Sequence, residues 1–221
     1  MPARLSRRFF NRPTLRVARD LLGCRLVRRT GGRRLAGVIV EVEAYIGEQD
    51  LACHCRAGRT PRTAVMFGKP GAAYVYFTYG LHWLLNVVTE REGFAAAVLI
   101  RALEPVEGVD LMMRNRSQTA KTLGRQSERT ARSSAHSSRL SGGLGHLCSG
   151  PARLTQALRI VGRHNGVDLC ARGGDLWIEA GQPIDPRRIR RGPRVGVDYA
   201  PEPWRSKPWR FFIKDNPFVS K

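Results

Sequence analysis

Acidic residues and lysines are both scarce in this chain. Only 18 acidic residues stand against 38 basic ones, and of the basic residues 33 are arginine and 5 lysine, leaving a formal net charge of +20. The positive excess is therefore almost wholly guanidinium, and each acid is conspicuous. Cysteine is sparse as well: Cys24, Cys53, Cys55, Cys148 and Cys170 are dispersed and odd in number, which argues against a disulfide framework. No apolar run approaches a membrane span, and Met1-Pro2-Ala3-Arg4-Leu5 runs into Arg7, Arg8, Phe9 and Phe10 without the apolar core of a signal peptide. A soluble intracellular protein with no membrane partner is expected. There is no internal repeat, no Gly-rich phosphate loop ending in lysine and no nucleophile elbow, so nucleotide hydrolysis and nucleophilic serine or cysteine catalysis have no support.

What is present begins with charge. Guanidinium suits bidentate contact with phosphate, and an excess of this size points to a polyanion, most simply nucleic acid. An anionic membrane surface, or a biased base composition in the gene, would produce the same excess. With 221 residues, 42% of them hydrophobic, the chain can bury a sizeable core and is read as one domain over 1–221.

The scarce acids are not all placed for solubility. Glu41 and Glu43 lie within Val38-Ile39-Val40-Glu41-Val42-Glu43-Ala44-Tyr45. Strand alternation puts Glu41, Glu43 and Tyr45 on one face and Val40, Val42 and Ala44 on the other. Burying a carboxylate without a partner is costly, so this pair implies either chemistry or a buried arginine.

Around this strand the pattern is mixed α and β. Asn11 or Thr14 reads as the N-cap of an amphipathic helix through Leu15, Ala18, Leu21 and Leu22 that stops at Gly23. Leu26-Val27 and residues 38–43 read as strands joined at Gly31-Gly32. Residues 47–70 form a long, functional loop. Tyr74 to Val88 reads as a hairpin hinged at Gly80, residues 95–100 as a strand, and residues 106–115 as a helix. A further helix starts at Gly150-Pro151, with Leu154, Ala157, Leu158 and Val161 on one face. Late strands are expected at 176–178, 195–197 and 211–213. Residues 117–145, dominated by Ser, Thr, Arg and Gly, cannot repay their ordering entropy by burial, which predicts a low-complexity, disordered internal loop.

Two local features invite chemical readings. Tyr79, beside Gly80 at the hairpin bend, could present its ring to solvent as a wedge that enters between base steps; the alternative is a turn aromatic packed on Trp83. Cys53-His54-Cys55 is compact, but adjacent side chains point apart and zinc sites prefer intervening residues, so no metal is expected.

Taken in order, Glu43-Ala44-Tyr45, His54, Pro61-Arg62, Met66-Phe67, Lys69-Pro70-Gly71, Tyr74-Val75-Tyr76, Tyr79-Gly80, Asn86, Arg101-Ala102-Leu103-Glu104-Pro105, Cys148-Ser149-Gly150-Pro151 and Arg194-Val195-Gly196-Val197 form a linked set. That set resembles the alkyladenine (3-methyladenine) DNA glycosylase family from about Phe9 to Ser220. The resemblance implies an α+β fold: a single domain around a curved, largely antiparallel sheet with a protruding aromatic β-hairpin. It implies a monofunctional glycosylase of base excision repair, without cofactor. Its partner would be double-stranded DNA containing damaged purines, flipped out of the duplex and released by hydrolysis. The expected lesions are 3-methyladenine and 7-methylguanine, with hypoxanthine and ethenoadenine as further candidates. Glu43 matches the base that activates water. Arg101 and the Val195 carbonyl would help hold that water, with Arg101 near the phosphate. Tyr45, His54 and Tyr76 match the residues that sandwich the flipped base, Asn86 a position that crowds the exocyclic amine of guanine, and Tyr79 the wedge left in the stack.

None of the five lysines falls among these matches, so no amine is placed for lyase chemistry. A monomer is the expectation. Leu81, His82 and Trp83 depart from the family pattern in the hairpin, and the 117–145 loop is longer than usual. Glu41 is the only nearby candidate for an acid, against its reading as a structural carboxylate paired with arginine. The competing class is a non-catalytic nucleic-acid-binding module on the same scaffold, to which a carboxylate facing phosphate would bring nothing.

Overall fold

The β-branched stretch around the two glutamates becomes the spine of the sheet. In the computed structural model, which describes residues 2–130 and 143–220, β2 spans Arg33–Ile46 and is hydrogen-bonded along both edges. The other strands are β1 (Arg25–Thr30), β3 (Ala73–Thr78), β4 (His82–Val88), β5 (Ala96–Glu107), β6 (Leu176–Glu179), β7 (Ile189–Gly192) and β8 (Arg210–Ile213). They form one antiparallel sheet in the order β3-β4-β5-β2-β1-β6, with β8 pairing β2 beyond the end of β1 and carrying β7 on its far side. Helices α1 (Arg7–Phe10), α2 (Thr14–Leu21), α3 (Val109–Thr130) and α4 (Pro151–Leu158) complete the α+β fold.

Alternation along β2 holds as read from the sequence. Val40, Val42 and Ala44 join the main core with Val17, Ala18 and Leu21 of α2, while Glu41 and Glu43 are fully buried on the opposite face. Helix α4 packs its Leu154, Ala157 and Leu158 against β4 and β5. Each of the buried valine and leucine side chains contributes about 1.5–3 kcal/mol in transfer free energy, and each alanine less.

The register between β2 and β5 slips twice at the position that matters. Ile39 pairs Leu103, Glu41 pairs Ala102 and Val42 pairs Ile100, so Val40 and Arg101 are left without partners. A bulge of this kind re-aims the extra residue's side chain. Here it turns Arg101 toward the two glutamates.

Several local expectations are corrected. Residues 195–197 are not a strand: Gly196 sits at φ +75°, and β7 takes the place beside β8 instead. The helix read from Val106 begins at Val109, because β5 runs on through Glu107 and Gly108, at φ +74°, breaks the chain direction. Neither Asn11 nor Thr14 caps α2. Pro13 occupies the N-cap, and the Thr14 amide and hydroxyl both donate to Glu90. Residues 117–130, the first half of the expected disordered loop, continue α3; its preceding turns are fastened to α4 by Asn115 on the Ala157 carbonyl and Arg116 on Gln156. Residues 131–142 of that stretch lie outside the described residues, and 143–145 lead into a short 3-10 turn.

Candidate active site

Glu43 has no solvent-exposed surface, yet each of its oxygens is engaged. Oε1 accepts the Val195 amide at 2.7 Å and lies 3.1 Å from an Arg101 nitrogen, while Oε2 accepts the Tyr45 hydroxyl at 2.9 Å. A carboxylate offers about four acceptor directions, so one remains unused on Oε2. Burial pushes the Glu43 carboxyl above its usual range. The Arg101 guanidinium, the Val195 amide and the Tyr45 hydroxyl pull against that rise without cancelling it. Glu43 is thereby held as a stronger base than an exposed glutamate.

Glu41, two residues earlier on the same face, is held by four donors. Its Oε1 accepts Arg101 Nε at 2.9 Å, Arg210 Nε at 2.7 Å and the Ser220 hydroxyl at 2.9 Å, and its Oε2 accepts the Ser220 amide at 2.7 Å. The reading of Glu41 as a structural acid paired with arginine fits this geometry. Arg101 spans the pair, with Nε on Glu41 and a terminal nitrogen on Glu43. Burial works to lower its pKa, but Glu43 and Glu41 outweigh it and the guanidinium is held charged.

In front of Glu43 opens a cavity of about 310 Å³ walled by Tyr45, His54, Tyr76, Asn86, Arg101 and Val195. That is the lower end of the size range for small-ligand pockets. The His54 ring meets Tyr76 edge-on at 4.5 Å. Its Nδ1 lies 3.1 Å from the Tyr74 hydroxyl, and Tyr74 leans on Tyr76 at 5.4 Å. Burial, with Arg62 and Arg56 nearby, lowers the His54 pKa to about 4, so the ring is neutral at physiological pH. Asn86 donates to the Tyr74 carbonyl from β4, 3.2 Å away. Tyr79 also borders the cavity, at the tip of the β3–β4 hairpin. It is 86% exposed, with Tyr79 and Gly80 both at positive φ. Trp83 pairs instead with Phe77 at 4.7 Å, so Tyr79 is not the packed turn aromatic of the alternative reading.

All eight residues singled out from the sequence thus converge on one site: seven line the cavity and Glu43 stands directly behind them. Val195 reaches Glu43 through its amide N–H. Sequence reasoning quoted Tyr74 and Arg194 among the linked motifs without giving either a role, and passed over Asp50, Arg210 and Ser220 as site residues. One signal for Asp50 was available, since in a chain so short of acid a carboxylate beside an apolar strand needs a reason. Among the described residues no cluster of His, Cys, Asp or Glu could hold a metal ion, and no helix is long and apolar enough to cross a membrane.

A cavity for one planar ring system, backed by a buried carboxylate and flanked by an exposed tyrosine on an arginine-rich chain, is the construction of an enzyme that works on a single nucleic-acid base. Residues 8–217 match the methylpurine-DNA glycosylase family. Similar proteins carry the name 3-methyladenine DNA glycosylase as a provisional assignment. That of Methanocella arvoryzae is 46% identical over 98% of this chain and 96% of its own length, that of Alkaliphilus oremlandii 44% over 99% of each, and that of Carboxydothermus hydrogenoformans 46% over 98% of each. The chain belongs to the methylpurine-DNA glycosylase family, whose members are hydrolytic DNA glycosylases acting in DNA repair.

Proposed function

We propose that this protein removes alkylated purines, 3-methyladenine and 7-methylguanine first among them, from duplex DNA by hydrolysis of the N-glycosidic bond with a water activated by Glu43. The observation that carries the reading is the buried Glu43 carboxylate at the back of the aromatic cavity, with raised basicity and one acceptor direction still unused. Water deprotonation there requires the ionised carboxylate, and the oxocarbenium-like sugar left by a departing cationic purine is stabilised by the same negative charge. Access to the unused direction on Oε2 lies beside the Tyr45 hydroxyl, which would swing aside or relay the proton.

The neutral rings of Tyr45, His54 and Tyr76 favour an electron-poor, cationic base over a normal one. Asn86 would crowd the exocyclic amine of guanine and so protect an abundant normal base. Tyr79, exposed at the tip of its turn, is suited to fill the gap left in the stack by the flipped nucleotide. The arginine excess supplies phosphate affinity without sequence preference.

The test is single-turnover release of 3-methyladenine, 7-methylguanine and hypoxanthine from lesion-bearing duplexes by wild type and Glu43→Gln, with lesion binding measured alongside. Release that is lost in the variant while binding persists is the expected result. Binding by wild type without release of any of the three would favour the non-catalytic module.

A further inference from the structure

We infer that Arg194, locked to Asp50, is a positioning residue that holds the Val195 amide against Glu43 and sets the geometry in which that carboxylate works. This rests on Glu43 being the base. The pair is a two-pronged fork: two Arg194 nitrogens meet the two Asp50 oxygens at 2.5 and 2.9 Å, and neither side chain has any exposed surface. Asp50 is fixed in turn by the Ile46 amide at 3.2 Å and the Ala52 amide at 3.1 Å, which ties it to the end of β2. Arg194 also donates to the Ala44 carbonyl at 3.0 Å, between Glu43 and Tyr45, and to the Trp204 carbonyl at 3.1 Å. Its guanidinium lies over Tyr45 at 4.7 Å and over Trp209 at 5.1 Å.

Besides this fork the segment is held by Val197, buried with Ala52 and Ala200 against Tyr45 and Trp204, and by no strand ladder. Residues 194–197 belong to no strand, and Gly196 takes a left-handed turn. The next residue after Arg194 is the one whose N–H reaches Glu43 Oε1 at 2.7 Å. Two sequence neighbours therefore act as one device: Arg194 grips β2 from behind Tyr45, and Val195 presents its amide to the carboxylate in front. A hydrogen bond from an amide to a carboxylate favours the charged form, so slackening the fork should raise the pH at which Glu43 becomes active.

The experiment compares the pH dependence of single-turnover release of 3-methyladenine from dimethyl-sulfate-treated duplex DNA by wild type, Glu43→Gln, Arg194→Lys and Asp50→Glu, after subtraction of enzyme-free release. Arg194→Lys and Asp50→Glu both keep every charge, so a displaced profile reports geometry. The midpoint of the acid limb does not depend on how much of a variant is folded. A hydrogen bond to a charged group contributes about 1.5–3 kcal/mol, and one pH unit corresponds to about 1.4 kcal/mol. The limb should therefore move up by about one to two pH units in both variants, with rates about 10- to 100-fold lower on the limb and converging toward wild type at high pH. A limb that stays in place, the rate falling equally at every pH, would overturn the positioning role while leaving Glu43 as the base. Release by Glu43→Gln would overturn both.

Discussion

Replacing Arg101 by Met should cost this protein more at pH 8 than at pH 5. Arg101 is 8% exposed and contacts two carboxylates that are wholly buried. After its removal Glu41 keeps Arg210 and both donors of Ser220, whereas Glu43 keeps only the Val195 amide and the Tyr45 hydroxyl. The uncompensated charge falls on Glu43. Breaking a buried pair by deleting one partner costs about 3–5 kcal/mol, which at this chain length is a fall in Tm of roughly 6–20 °C. The sign of the pH dependence follows from Glu43. Burial already raises its carboxyl, with Arg101 the largest influence pulling the other way, so losing Arg101 raises it further. An acid whose pKa is raised on folding contributes its stability below the unfolded value, and loses it as pH climbs through the folded value. Protonation of Glu43 relieves the variant's penalty as the pH falls, so the cost is smaller at the lower pH than at the higher. Urea unfolding of wild type, Arg101→Met, Glu43→Gln and the double variant at both pH values measures this directly. An Arg101→Met penalty equal at the two pH values, or one that Glu43→Gln fails to relieve, would refute the reasoning.

Other consequences are narrower. Tyr79→Ala should change stability by less than about 0.5 kcal/mol, because the ring touches little. It should slow release from duplex DNA roughly 5- to 150-fold, the worth of one base–aromatic stack, and equal single-turnover rates would remove Tyr79 from the mechanism. His54, whose pKa falls from 6.5 to about 4 on folding, contributes stability that is present above pH 6.5 and lost as pH falls toward 4. His54→Phe should lack that segment of the stability curve, and a wild-type imidazole resonance that titrates near 6.5 by NMR and is missing from His54→Phe would contradict it. Ending the chain at Val219 removes two of the four donors to Glu41 and should cost about 2–4 kcal/mol by urea unfolding.

Legibility in the sequence followed the range of the interactions. The alternation of β2 was readable because period two is a local property, and so was the α2 face packed on it. The hairpin was readable from two β-prone runs meeting at Gly80. The aim of Arg101 was not, because a bulge depends on the register between β2 and β5 across 60 residues of chain. Residues 195–197 carry strand-like valines, yet they are held by one buried ion pair, one amide and the burial of Val197 against Ala52 and Ala200, none of which leaves a periodic trace. Residues 117–130 contain enough Leu, Lys, Arg, Gln and Glu to continue a helix once Asn115 and Arg116 fasten its earlier turns to α4. Composition alone weighed their serines and threonines more heavily.

The two glutamates show how one strand can present two identical side chains to the same face and obtain different behaviour from each. Glu41 meets two guanidiniums and both donors of Ser220, four charge-stabilising donors against the three that reach Glu43. Glu43 shares one of those guanidiniums, takes two weaker donors from Val195 and Tyr45, and carries the unrelieved part of the burial penalty. Environments that separate two carboxylates in this way assign them different work. Arg101 is the link: with its Nε committed to Glu41, it can offer Glu43 only a terminal nitrogen at 3.1 Å, enough to keep the charge in place and too little to quench its basicity. Removing Glu41 would release Arg101 to pair with Glu43 through both nitrogens. Glu41→Gln should therefore lower the pH of the acid limb while slowing release, the opposite displacement to that expected when the Val195 amide is withdrawn.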